Sequence, residues 1–333
     1  MRHQQSISEL NINTIKNYSI SHFWLKINSD EFSRDGYIPL IIIKGKYSSP
    51  VIGVSAALHG NELNGISIIH KLVENINLEN LKGTIVAIPG MNNYAISNYT
   101  RKFSDGEDLN RIFPGKESGN SSEQYVWNIN QKILSNIDYL VDMHTASFGR
   151  INSLYVRADM NNKIIANMAN AIDADIILNS TGIVPEYSTK TFRTEAMKKN
   201  IPAVTVEYGN PQVFQPIFIR RGVEGLVNLF NHLNIYESKN KAITSKAILC
   251  EKSYWIYTDM GGILDMKVDL KQVVKKGEVL AILRNPFGEI IKEYLAPEKG
   301  IIIGRSTNPI NTSGGRIVHL GIIKKDKNVT KNI

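Results

Sequence analysis

The chain has 333 residues, 42% hydrophobic and 21% charged, with a net charge of +8 and a single cysteine, Cys250. This is the make-up of a soluble globular protein large enough for two domains and a sizeable core. One cysteine rules out an intrachain disulfide framework and favours a reducing compartment. No apolar run reaches membrane-spanning length, and no hydrophobic core of a signal peptide follows the basic start, so a cytoplasmic location is the expectation. Lysines and arginines are scattered, without a basic run interleaved with aromatics, so neither nucleic acid nor membrane is an expected partner. The densest basic stretch, Lys324, Lys325, Lys327 and Lys331, reads as a solvated tail. The excess of positive charge suits attraction of a small anionic substrate.

From about residue 36 to 234, apolar β-branched runs alternate with helical patterns. Strands are expected at 37–44, 51–58, 83–89, 137–144, 154–158, 175–179 and 203–208; several are near-continuous apolar runs, as for strands covered on both faces. Helices are expected at 62–74, 122–134, 163–172 and 223–233, the first from Leu63, Ile66, Ile69 and Val73 at helical spacing. That order predicts an α/β domain with a mixed, mostly parallel sheet flanked by helices. A catalytic domain over 1–239 and a β-rich domain over 246–325 are expected, joined by a polar stretch at 240–245.

The β-rich part repeats itself. Gly262-Ile263-Leu264 leads to Gly277-Glu278-Val279-Leu280, and at one constant offset Gly300-Ile301-Ile302 leads to Gly315-Arg316-Ile317-Val318. Two such halves can close a small sandwich, each giving one layer. The pattern resembles the lipoyl/biotinyl carrier fold. A carrier needs its modified lysine in the hairpin between the halves; Arg284 to Glu289 contains none, and Lys267 lies in the wrong place. A structural domain is therefore expected.

Chemistry-bearing residues sit where apolar strands end. Ala56-Ala57-Leu58-His59-Gly60-Asn61-Glu62 closes a strand, turns at a glycine and opens a helix, so an imidazole and a first-turn carboxylate can converge on a metal. Val141-Asp142-Met143-His144 offers a third ligand. Asp142 shares its strand face, either orienting a ligand or capping the strand end. The other five histidines have no comparable setting. Asp108-Leu109-Asn110-Arg111 is a polar loop able to clamp a carboxylate, with Arg101 just before it. Val206-Glu207-Tyr208-Gly209 ends another apolar run with a carboxylate, either a proton-transfer group or a salt-bridge partner.

Together, and in this order, these motifs resemble the succinylglutamate desuccinylase/aspartoacylase family, a branch of the zinc carboxypeptidase-like hydrolases. The resemblance spans His59 to Glu207 and extends to the two-domain plan. It implies one Zn2+ per chain on His59, Glu62 and His144, with Glu207 as general base and then acid. It also implies that Asn110 and Arg111 hold the substrate carboxylate, that Arg101 stabilises the oxyanion, and that Arg193 lies near the pocket. The implied reaction is removal of an acyl group from a small N-acyl amino acid. A metallocarboxypeptidase acting on peptide C-termini would use the same zinc set, although a β-rich domain capping the cleft favours small substrates. A non-catalytic scaffold with a degenerate site is the third reading. Acyl group, amino acid and homo-oligomeric state are not encoded in these motifs.

Overall fold

The computed structural model describes residues 4–30, 32–182, 190–237 and 247–324. The expected 240–245 linker and most of the basic tail lie outside them. Four buried strands form the centre, in the spatial order Thr84–Ile88, Val51–Ala56, Tyr139–His144 and Ala203–Tyr208, all parallel. Their continuous apolar runs have a simple cause, since helices cover both faces. Helices Asn64–Asn75, Lys163–Ala171 and Pro216–His232 pack on one face through Ile68, Leu72, Met168, Leu229 and Phe230. Helices Ser121–Lys132 and Phe192–Lys198 pack on the other through Val126, Ile129 and Phe192. Along Tyr139–His144 the alternation is strict: Val141 and Met143 enter the first core, and Leu140 enters the second.

Most expected elements form within a residue or two of their predicted ends. Helix Pro216–His232 starts earlier than the expected 223, because Pro216 sits at its first position, where a missing N–H costs nothing. Several elements had no clear sequence signal. The strand Ser19–Ser29 is half-buried along most of its length and carries polar residues throughout, so it lacks an apolar run. Gln5–Ile7 and the seven-residue helix Phe192–Lys198 are too short for a period to show. Among the described residues no helix is long and apolar enough to cross a membrane.

The repeat in the C-terminal part becomes two packed layers. Gly262–Met266 pairs antiparallel with Val279–Arg284 in a four-stranded sheet. Gly300–Ser306 pairs antiparallel with Arg316–Ile323 in the other layer. Each half also lends one short strand across: Val273–Val274 joins Gly300–Ser306, and Ile310–Asn311 joins Gly262–Met266. Leu264, Val274, Leu283, Ile302 and Leu320 fill the space between. The second layer is not a separate sheet. Ile248–Tyr257 pairs parallel with Ile176–Asn179 and antiparallel with Arg316–Ile323, so it extends the α/β sheet without a break. Nothing in the repeat pattern announces that continuity.

Phe230 is fully buried between its helix and the sheet. Phe230→Ala is expected to lower unfolding free energy by about 3–5 kcal/mol, read from the midpoint of urea denaturation. An unchanged midpoint would show that this helix contributes nothing to the cooperative core.

Candidate metal centre and cleft

The first donor pair is built by a tight turn. The strand stops at Ala56, and Ala57 adopts a positive φ of 55°, which bends the chain out of the sheet. Gly60 follows where a Cβ would lie 1.9 Å from the carbonyl carbon of Ala95, so only glycine fits. The Glu62 N–H donates to the His59 carbonyl at 3.1 Å, closing the turn. The helix begins only at Asn64, so Glu62 stands in the turn before it and not in its first turn, contrary to the sequence expectation. His59 likewise lies beyond the strand end. The third donor is placed by the sheet itself, because His144 is the last residue of its strand.

His59, Glu62 and His144 are buried, and one ligand atom from each lies within 4.8 Å of the others. The two Nδ1 atoms are 3.2 Å apart, with Glu62 oxygens 3.0 Å from His59 Nδ1 and 2.8 Å from His144 Nδ1. Each Nε2 is turned away onto a second carboxylate: His59 onto Asp108 at 3.0 Å, and His144 onto Asp142 at 2.8 Å. Asp142 is fixed in turn by the Ser55 hydroxyl, which donates at 2.8 Å. A carboxylate on Nε2 holds the hydrogen there and leaves Nδ1 as a lone-pair donor. Of the two sequence readings for Asp142, orientation of the imidazole is the one the geometry supports.

Two imidazoles and one carboxylate suit a borderline divalent ion such as zinc. The local field agrees. Burial alone would raise the Glu62 pKa, but His59 and His144 override it and hold the carboxyl well below its usual range. Burial alone would lower the His144 pKa, but Asp142 and Glu62 outweigh it and raise it well above an ordinary histidine. An environment that draws a proton this strongly favours a cation among the donors.

Glu207 enters through strand register. It is paired with His144 on one side and with Tyr155 on the other, and Thr205 is paired with Asp142 and Arg157 in the same way. Residues paired across a sheet share a face, so these side chains form two rows on one surface. Glu207 accepts from the Asn152 amide at 3.1 Å, and its cross-strand neighbour Tyr155 accepts through its hydroxyl from Arg157 at 3.0 Å. Burial and the nearby Glu62 carboxylate raise the Glu207 pKa. Asn152 is seated against Gly304 of the C-terminal layer, where a Cβ would come within 2.4 Å of Asn152 Oδ1.

A cleft of about 600 Å³ joins these groups, and all eight residues to which the resemblance gives a role line it. Arg101 donates to Glu62 at 3.0 Å and to Asp108 at 2.9 Å. Asn110 is buried, with its Oδ1 taken by the Phe192 N–H at 2.8 Å, which leaves only its NH2 for a ligand. Arg111 is exposed and donates to the Asn110 carbonyl. Arg193 is buried and donates to the Ser180 carbonyl at 2.9 Å; burial and neighbouring Arg157 lower its pKa to about 10. Sequence reading missed Asn152, Tyr155, Arg157, Arg150, Trp255 and Arg316. Tyr155 and Arg157 were readable only as strand residues, since their link to Glu207 is a matter of register. Trp255 and Arg316 arrive from the C-terminal strands and line the cleft.

Parallel strands with an imidazole–carboxylate–imidazole set at their carboxyl ends define an α/β protein with a buried three-donor cluster that could hold a metal ion. The succinylglutamate desuccinylase/aspartoacylase catalytic domain matches residues 48–233, more than half of the chain, and the chain belongs to that family. It is 24% identical over 302 residues to N-alpha-acetyl-L-2,4-diaminobutyric acid deacetylase of Halomonas elongata, covering 86% of each chain. Solved structures share its fold. The product-bound ectoine utilization protein EutE (DoeB) of Ruegeria pomeroyi superposes with a TM-score of 0.82 at 23% identity, covering 93% of this chain and 97% of the other. A succinylglutamate desuccinylase/aspartoacylase of Rhodobacter sphaeroides superposes with 0.83 at 19% identity, covering 96% and 98%.

Asp142→Asn should weaken divalent-metal affinity roughly 10–100-fold by loosening His144, measured by competition with a chromogenic chelator. Wild-type affinity in that variant would dissociate Asp142 from metal binding.

Proposed function

We propose that this protein is a zinc-dependent hydrolase that removes the acyl group from a small N-acyl amino acid. The observation that carries the proposal is the placement of Glu207. It sits directly across the sheet from His144, in one cleft with the His59, Glu62 and His144 donors and with guanidinium groups. Zinc held by those donors supplies Lewis acidity toward the scissile carbonyl and a lowered pKa for water.

The chain's own groups supply the remainder. Glu207 takes a proton from the attacking water and returns it to the leaving nitrogen. Asn152 aims its carboxylate. Arg111 and the Asn110 NH2 hold the substrate carboxylate, the guanidinium in a bidentate fashion. Arg101 turns toward the carbonyl oxygen as negative charge develops there; its present partners, Glu62 and Asp108, keep it within the site. The buried cationic Arg193 supports the same wall. The diaminobutyric acid deacetylase relative and the family description support this reaction class.

The C-terminal layers support a cap over the cleft, with the two-half arrangement of a lipoyl/biotinyl-like unit. The turn where a carrier would present lysine holds Asn285, Pro286, Phe287, Gly288 and Glu289. Trp255 and Arg316 in the cleft wall favour small substrates over peptide C-termini.

Glu207→Gln should lower kcat by about 100- to 10,000-fold while zinc content by elemental analysis stays at one per chain. Wild-type turnover would remove Glu207 from the mechanism, and rapid cleavage of peptides in place of N-acyl amino acids would favour the carboxypeptidase reading. A base works ionised, and Glu207 is raised above 4.5, so activity should be lost on acidification at a pH above that of an ordinary glutamate. Asn152→Ala removes a donor that favours the ionised form. It should move the acid limb of kcat/KM to still higher pH, and an unmoved limb would separate Asn152 from Glu207.

A further inference from the structure

Ser147 lines the cleft shortly after His144 and is buried. Its hydroxyl donates to Glu62 Oε1 at 2.8 Å and accepts from Arg101 Nη1 at 2.5 Å. Arg101 Nη1 also donates directly to that Glu62 oxygen at 3.0 Å, so the three side chains close a triangle. The atoms fix the directions within it. A guanidinium carries hydrogens and no acceptor, so the hydroxyl must accept from Arg101. A hydroxyl has one hydrogen, and here it goes to Glu62.

Two corners of the triangle are anchored. Glu62 is held by the turn that ties its N–H to the His59 carbonyl. Around Ser147, the Ala146 N–H donates to the Gly209 carbonyl at 2.8 Å, and the Arg150 N–H donates to the Ser147 carbonyl at 3.2 Å. Arg101 is the corner free to move, its side chain 28% exposed against 2% for Glu62. In the deacylase reading its guanidinium turns from Glu62 to the carbonyl oxygen. A buried carboxylate oxygen that loses a charged donor is destabilised. Ser147 donates to that oxygen throughout, and its lone pairs stay open to Arg101. The guanidinium can thus exchange one bond while keeping another.

We propose that Ser147 is a positioning residue for the deacylation, a hydroxyl pivot that releases Arg101 from Glu62 and holds it within reach of the developing oxyanion. This rests on the deacylase reading and deepens it. With Ser147→Ala, Arg101 is the one remaining donor to Glu62 Oε1 among the described residues, because the neighbouring His59 Nδ1 offers a lone pair. The guanidinium is then held back. The loss falls on the transition state, where the oxyanion forms, and not on substrate binding.

The test runs with zinc saturating and its content verified by elemental analysis, so that a weakened metal site cannot imitate the effect. Ser147→Ala should lower kcat roughly 10- to 100-fold with KM within about twofold, and Ser147→Thr, which keeps the hydroxyl, should recover most of the loss. Calorimetry supplies a readout apart from turnover. The probes are N-(methylphosphonyl)glutamate and N-(methylphosphonyl)-2,4-diaminobutyrate, in which an anionic tetrahedral phosphorus replaces the amide carbon. Ser147→Ala should weaken the tighter-binding probe roughly tenfold or more, but less than about twofold when Arg101→Ala is already present. An undiminished loss in the Arg101→Ala background overturns the pivot, because Ser147 would then act without Arg101. A raised KM with unchanged kcat also overturns it, since Ser147 would then serve ground-state binding. Hydrolysis of a panel of N-acetyl and N-succinyl amino acids by the unsubstituted protein is measured in parallel. Coupled probe binding without hydrolysis of any member leaves Ser147 as the pivot of Arg101 and removes the deacylase reading; hydrolysis without coupling does the reverse.

Discussion

Asp142 and Asp108 each take the Nε2 of a buried histidine, and the chemistry of the cleft follows from that choice. With both Nε2 atoms occupied, the two Nδ1 lone pairs face each other and Glu62. Had either imidazole rotated freely, the donors would not converge, and a cation would meet one ligand at a time. The carboxylates also supply negative charge behind the donors, which compensates for taking a cation out of water. Asp108 does this from a loop and Asp142 from a strand. The loop carboxylate is shared with Arg101, and so the His59 donor and the Arg101 guanidinium are coupled through one side chain.

The sheet supplies the precision. Parallel strands bring their carboxyl ends to a common edge, and register then decides which side chains meet. His144, Glu207 and Tyr155 form one row; Ser55, Asp142, Thr205 and Arg157 form the next. A slip of one residue in Ala203–Tyr208 would put Val206 or Tyr208 opposite His144 and turn Glu207 to the far face. The apolar residues between the functional ones guard against that slip, because Val204 and Val206 are locked into the core beneath.

Much of this was legible in the sequence, for identifiable reasons. Buried parallel strands read as apolar runs, and a charged residue ending such a run stands out. His144 and Glu207 were found that way, and His59 and Glu62 by a glycine turn. What stayed hidden depends on pairing between distant segments. Asn152 and Tyr155 are ordinary residues until register sets them beside Glu207. Arg150, Trp255 and Arg316 are scattered over more than half of the chain and become one surface only when the C-terminal strands join the sheet. The helix start was misplaced by two residues because Glu62 is tied back to His59. Even the repeat, plainly visible, gave two layers without revealing that one of them is an extension of the catalytic sheet.

That extension bears on how the chain is made. Strand Ile176–Asn179 hydrogen-bonds to Leu154–Ala158 on one side and to Ile248–Tyr257 on the other. During synthesis its outer edge stays open until residues near 248 leave the ribosome, although the residues that build the metal centre have already emerged. An open, apolar strand edge is a template for pairing with another nascent chain. The C-terminal layers therefore serve as the closing strip of the sheet as well as the wall of the cleft. A chain shortened to its α/β part would carry every donor and still present a sticky border to its neighbours.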